Sequence, residues 1–355
     1  MKKRLCLIIL IALLLSNWTL SIASAAELKI EKTLTQADGL ASNTVLTIFE
    51  DSHGAMWFGT TDGLTRYDGE SFQTFTIQDG LADDTVSVIF QDPQGMLWFG
   101  TGSSSLPGRG VSCYNEYEFQ NFTIADGLAN NTVKNILEDE VGRLWFATGS
   151  PDGVSRYDGE NFDTLTIDGP MGMFTLPEWW NVVEAIAQDT TGNLWFGSQA
   201  GISYYNVKTS RFRYFAVHKE GFTPFVEMGN MPSARVTDLQ FDTKQNLWIT
   251  QDMAAPDDSG VRRYDGKELI SFPRSEELPM SGVKNILLDS KGNLWFSSVG
   301  VSVYDGKTFK HFNTLDGLPN KHVWSVFEDS SGKLWFATDA GAAVGVYIPS
   351  QNSDN

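Results

Sequence analysis

From about residue 27 onward, short apolar runs rich in β-branched and aromatic residues alternate with polar turns, and no stretch keeps a helical period. The runs recur. A tryptophan stands at Trp57, Trp98, Trp145, Trp195, Trp248, Trp295 and Trp335, at spacings of 40 to 53 residues. Six positions before each is an aspartate (Asp51, Asp92, Asp139, Asp189, Asp242, Asp289, Asp329), and twelve before each is a valine (Val45, Val86, Val133, Val183, Val236, Val283, Val323). Repeats of this length without helices predict an all-β propeller, here of seven blades.

One copy shows the expected blade. Thr85 to Gln91 reads as a strand packed on both faces, and Asp92-Pro93-Gln94-Gly95 as a turn. Met96 to Thr101, Val111 to Asn115 and Glu118 to Ile124 complete a four-stranded antiparallel meander. The third and fourth strands join through Tyr-Asp-Gly in four copies, at Asp68, Asp158, Asp265 and Asp305, where Asp-Gly suits a tight turn. These aspartates read as turn formers rather than catalytic acids, and the seven tryptophans as packing between blades. The last copy, from His322 to Tyr347, holds three strands, while Glu27 to Thr35 is an orphan strand at the other end. The N-terminal strand is therefore expected to complete the last blade and close the ring.

Phrases such as Asp79-Gly-Leu-Ala-Asp-Asp84-Thr-Val86, Asp289-Ser-Lys-Gly-Asn-Leu-Trp295 and Gly63-Leu-Thr-Arg-Tyr-Asp-Gly69 resemble the two-component regulator propeller repeat. The resemblance covers roughly residues 27 to 348. It implies the extracytoplasmic sensor half of a membrane receptor, followed by a β-sandwich, a membrane helix and a kinase or other output domain, with a polysaccharide fragment as a common ligand. Here Tyr347 is followed by a short polar tail, so the role implied is that of a binding module without signalling in cis. The organisation expected is a signal peptide over 1–25, a propeller over 26–349 and a polar tail over 350–355.

Lys2, Lys3 and Arg4 precede an apolar run from Leu5 to Leu15, and Ala23-Ser24-Ala25 offers a cleavage site. A periplasmic or secreted protein is expected, without a membrane span in the mature chain. Cleavage takes the formal charge from −18 to −21, which argues against nucleic acid. It also leaves Cys113 as the remaining cysteine, so no internal disulfide is expected.

In a propeller, loops from second to third strand share a face with loops from fourth strand to the next blade, and every long insertion falls in those two sets. Gly102 to Gly110 carries Arg109, and Asp168 to Trp180 carries Phe174, Glu178, Trp179 and Trp180. Val217 to Arg235 carries His218, Phe222, Phe225, Glu227, Met231 and Arg235; Gln251 to Gly260 carries Asp252, Asp257 and Asp258. Aromatic rings beside carboxylates and arginines suit a sugar, or alternatively pin the loops. The three aspartates read as a solvated acidic loop rather than a Ca²⁺ site, lacking a calcium-loop spacing, and no metal or cofactor is expected. The leading expectation is a non-catalytic sensor-type module whose long-loop face binds a glycan-like ligand or a separate membrane receptor. Alternatives are a protein–protein scaffold, or a metal-dependent propeller lyase, which would need His218, His322 and Glu227 to converge.

Overall fold

The computed structural model describes residues 26–103, 106–149, 153–165, 182–199, 201–218, 221–224, 235–252, 258–279 and 282–350. They form seven antiparallel sheets in a ring. In blade one the order is Val45–Glu50, Met56–Thr60, Leu64–Tyr67 and Phe72–Phe75, from the axis outward. The last blade takes its outer strand from the other terminus. Glu27–Leu34 pairs with Gly341–Ile348, from Glu27 opposite Ile348 to Leu34 opposite Ala342. The ring is closed as the sequence predicts.

The repeated residues explain the blade. In each of the seven copies the indole Nε1 donates to Oδ2 of the aspartate six residues earlier, at 2.7 to 3.1 Å. The same carboxylate's Oδ1 accepts backbone N–H groups of its own turn, as Asp289 does from Lys291 and Asn293. The turn then needs a left-handed residue. Six copies use glycine; in the fifth, Gln245 adopts φ 63°.

Adjacent blades pack through aromatic contacts that run round the ring. Trp57 lies 5.4 Å from Phe99 of the next blade, centroid to centroid, and Trp98, Trp145, Trp248 and Trp295 meet Phe146, Phe196, Phe296 and Phe336 at 5.7 to 6.2 Å. In the fifth blade the phenylalanine is replaced by Ile249, which packs beside Trp195. The central strands are consequently buried on both faces.

Several boundaries differ from the sequence expectation, two of them for a clear physical reason. The outer strand expected over Glu118 to Ile124 is Phe119–Phe122. It ends because Thr123 and Asp126 form a reciprocal cap on a single 3-10 turn, a geometry repeated by Thr76 with Asp79 and Asn313 with Asp316. The segment expected as a loop from Val217 begins as strand. Arg211–His218 pairs with Gly221–Pro224, Val217 opposite Phe222, giving blade four a fifth strand. The aromatic and β-branched residues Phe212, Tyr214, Phe215 and Val217 suit this extension.

Candidate functional site: an axial funnel

The inner strands carry a shared irregularity. In six blades the ladder slips by one residue immediately after the repeated valine. The residues left out of the pairing are Leu46, Ser87, Lys134, Glu184, Thr237 and Trp324; Lys284 holds the same place in blade six. A bulge re-aims the side chain it carries. Leu46, Ser87, Lys134, Lys284 and Trp324 accordingly line one axial cavity of about 460 Å³, together with hydroxyl groups such as those of Thr85 and Ser103.

Two further cavities continue it toward the rim. One, of about 350 Å³, is lined by Lys134, Glu184, Arg235, Gln199 and residues of the Gly102 to Gly110 insertion. The other, of about 290 Å³, is lined by Asp252, Lys284, Val299, His322 and Trp324. Their shared residues make a continuous funnel, and its walls come from the two loop sets expected to share a face.

Glu184 is the hub of the first side chamber. Its carboxylate lies 2.8 Å from Arg235 Nη2 and 3.7 Å from Lys134 Nζ, with only about a tenth of its side chain and of Lys134's exposed. Burial pushes the Lys134 ammonium below the usual lysine value; Glu184 opposes this, while Arg235 and Lys284 add to it. In the other chamber Asp339 anchors two groups at once. Its Oδ1 accepts from the Trp324 indole at 2.7 Å, and its Oδ2 lies 2.9 Å from His322 Nδ1. Lys284 Nζ stands 5.9 Å from the centroid of the ring that Asp339 holds.

Deeper along the inner strands, Asp238 accepts the backbone N–H of Ile286 at 2.7 Å and of Leu239 at 2.8 Å. Burial pushes its carboxyl up to about 7, against the pull of those bonds. Asn285 repeats the device toward blade seven, accepting from Val326 N–H at 3.0 Å. Both satisfy a backbone donor of the following blade, which is a structural role.

Of the residues singled out in the sequence, Arg235 lines one chamber of the funnel, and Asp252 and His322 line the other. Arg109 lines neither. Its side chain is mostly exposed and pairs with Asp83 at 3.2 Å. The backbone of Asp258 opens a strand, Asp258–Tyr264. Phe174, Glu178, Trp179, Trp180, Phe225, Glu227, Met231 and Asp257 lie outside the described residues. His218 sits on the outer strands of blade four, whereas His322 bridges to Val299 at the head of blade seven. Among the described residues no three His, Cys, Asp or Glu side chains are placed to hold a metal.

Sequence reasoning missed Lys134, Glu184, Lys284 and Trp324. The signal was available: the position after each repeated valine changes from copy to copy, while its neighbours recur. Trp324 also falls outside the seven-tryptophan series.

Four segments, 39–62, 80–103, 127–150 and 317–340, match the sequence profile of the two component regulator propeller family. The chain carries two component regulator propeller repeats. Each matched segment begins at the glycine that follows an Asp cap of the kind described above. Over 44 residues the chain is 41% identical to histidine kinase P4 of Formosa agariphila, a match covering 12% of this chain and 3% of that one. Among solved structures, two extracellular domains assigned to hybrid two component systems of B. thetaiotaomicron superpose with TM-scores of 0.70 and 0.64, at 20% and 21% identity. They cover 90% and 91% of this chain, which spans 42% and 40% of theirs. A catalytically inactive virginiamycin B lyase from Staphylococcus aureus with quinupristin superposes at 0.66 and 12% identity, over 91% of this chain and all of that one. At such identities these likenesses establish the fold. Among the described residues no helix is long and apolar enough to cross a membrane.

Proposed function

We propose that the protein is an exported, non-catalytic sensor module that takes a small ligand of the oligosaccharide kind into the axial funnel. It would signal occupancy to a separate receptor through the same face. The observation that carries this reading is the cavity of about 460 Å³ lined by Leu46, Ser87, Lys134, Lys284 and Trp324, the residues that follow five of the repeated valines. Its volume lies in the range of ligand sites, and it combines one aromatic ring with convergent polar groups. The repeats support a sensor role, as does the likeness to extracellular domains of two component systems. A rigid ring that presents variable side chains at one repeated position suits recognition, because function resides in the site and not in the fold.

The test is a thermal-shift screen of the protein against neutral and acidic oligosaccharides and divalent metals. Ligand at 100 times its dissociation constant stabilises by about 2.7 kcal/mol. A shift produced by an oligosaccharide and lost in Trp324→Ala is the expected outcome. A shift untouched by Trp324→Ala would move the site out of the funnel, and none with any compound would overturn the small-ligand reading.

A further inference from the structure

We infer that the groove between blades one and two, on the face opposite the funnel, is a second binding site, for a small zwitterion of the amino-acid kind. It goes beyond the funnel reading and does not depend on it.

The groove encloses about 400 Å³, and Asp51, His53, Arg66 and Gln73 of blade one and Gln91 and Glu116 of blade two are among its lining. It lies among the turns that join first to second and third to fourth strands, at the strand ends away from the long loops. Its floor is fixed. Trp57 and Tyr114 pack with ring centroids 6.0 Å apart. Gln91 ties the two blades together: its Oε1 accepts from Ser52 N–H at 2.7 Å, and its Nε2 donates to the Gly95 carbonyl at 3.0 Å.

Arg66 supplies the cationic end. In blade three the matching Arg156 is hydrogen-bonded to Asp163 on the neighbouring strand, whereas in blade one that partner position holds Gln73. Among the described residues the carboxylate beside Arg66 is that of Asp68, at 4.0 Å. Asp68 is already held by two N–H groups and a hydroxyl of its own turn. Guanidinium donors therefore remain for the carboxylate of a ligand.

Glu116 supplies the anionic end, from the other blade. It stands at φ 73°, where the corresponding hairpins use Gly69, Gly159, Gly266 and Gly306. A glutamate in this left-handed region costs backbone energy, and what the hairpin gains is a mostly exposed carboxylate 3.6 Å from His53 Nδ1. Asp51, the other acid lining the groove, is spent on the Trp57 indole and two turn N–H groups. Both poles act on one phenol: burial pushes Tyr114 up, Arg66 opposes this and Glu116 adds to it.

Opposite charges on the two blades choose the ligand. A carboxylate alone meets Arg66 but is repelled by Glu116, and an amine alone meets the converse. A zwitterion satisfies both through charge-assisted hydrogen bonds.

The experiment is isothermal titration calorimetry of the full chain with L-alanine, L-alanyl-L-alanine, N-acetyl-L-alanine and L-alaninamide. One of the two zwitterions is expected to bind, about tenfold or more tightly than the acetylated acid and the amide, and about tenfold or more weakly in Arg66→Met and Glu116→Gly. Glu116→Gly installs the residue that the other hairpins use, so it decides the matter if Arg66→Met does not fold. N-acetyl-L-alanine binding as tightly as either zwitterion would overturn the paired-charge site. A zwitterion that binds both variants as tightly as the wild type sits elsewhere on the ring, and the groove assignment then falls. Silence with all four probes overturns it too, and leaves the funnel reading standing.

Discussion

Trp335 of the last blade and Phe58 of the first lie 5.7 Å apart, ring centroid to centroid. This contact repeats across the closing seam the aromatic packing found between the other blades. Trp335 is buried with Leu34, Val45, Ile48 and Phe58 in one cluster that joins both ends of the chain. Trp335→Ala should therefore cost about 3–5 kcal/mol, as truncation of a large core aromatic does. Urea denaturation measures it, and a loss under about 1 kcal/mol would mean that the seam does not depend on this ring.

The hydrogen bond beneath each ring gives a second prediction. Asp289 accepts the Trp295 indole at 2.9 Å and two turn N–H groups. Asp289→Ala strands a buried indole donor, so a loss of about 1–3 kcal/mol is expected. Asp305 lies in an exposed hairpin and accepts the backbone N–H groups of Lys307 and Thr308. Asp305→Ala should cost less than Asp289→Ala in the same denaturation series; the reverse order would contradict the structural assignment of the repeated aspartates.

Ring closure depends on the N-terminal strand. Removing Glu27–Leu34 exposes the edge of Gly341–Ile348 and breaks the Lys333–Glu31 ion pair. Melting temperature should fall sharply, with aggregation through the bared edge. A milder variant probes the same seam: Glu50 accepts from Ser330 Oγ at 2.8 Å, and Glu50→Ala should cost about 1 kcal/mol. Melting unchanged by the deletion would dismiss the closure.

Asp238 makes stability depend on pH. Its folded pKa is raised from 3.8 to about 7, so the folded protein holds a proton that the unfolded chain has released. The contribution of this group to stability is therefore greatest below about pH 4 and falls as pH rises toward about 7, by no more than ~4 kcal/mol. Asp238→Asn keeps an acceptor for Ile286 and cannot ionise. Urea midpoints at several pH values should show a slope in wild type that the variant has lost; parallel profiles would refute it.

Cys113 is 3% exposed, and burial pushes its thiol up to about 12. A thiolate is the reactive form, so iodoacetamide at pH 8 should label the protein only after denaturation. Rapid labelling of the native protein would show that blades two and three open readily.

The periodic residues made the fold legible. Val, Asp and Trp at fixed offsets, with turn residues between them, encode a blade locally: the aspartate reaches its tryptophan within six residues, and the apolar pattern fixes which face is buried. Seven such units and one spare strand leave the closed ring as the arrangement that buries every central strand. The insertion face was legible too, because loop sets alternate with strand order. Arg109 stands apart from the funnel, because a long loop rich in glycine says nothing about where its cation finds a partner, and Asp83 of the preceding connection is within reach.

The funnel belongs to tertiary structure. Lys134, Glu184, Lys284 and Trp324 are scattered over four blades, and in its own segment none stands out from the residues around it. Their convergence follows from the position after each repeated valine, where in six blades a bulge takes one residue out of the pairing. Sequence determined the blade because its contacts are short-range and repeated seven times. The site needed the closed ring, because its charges and the Trp324 face meet only where the blades share an axis.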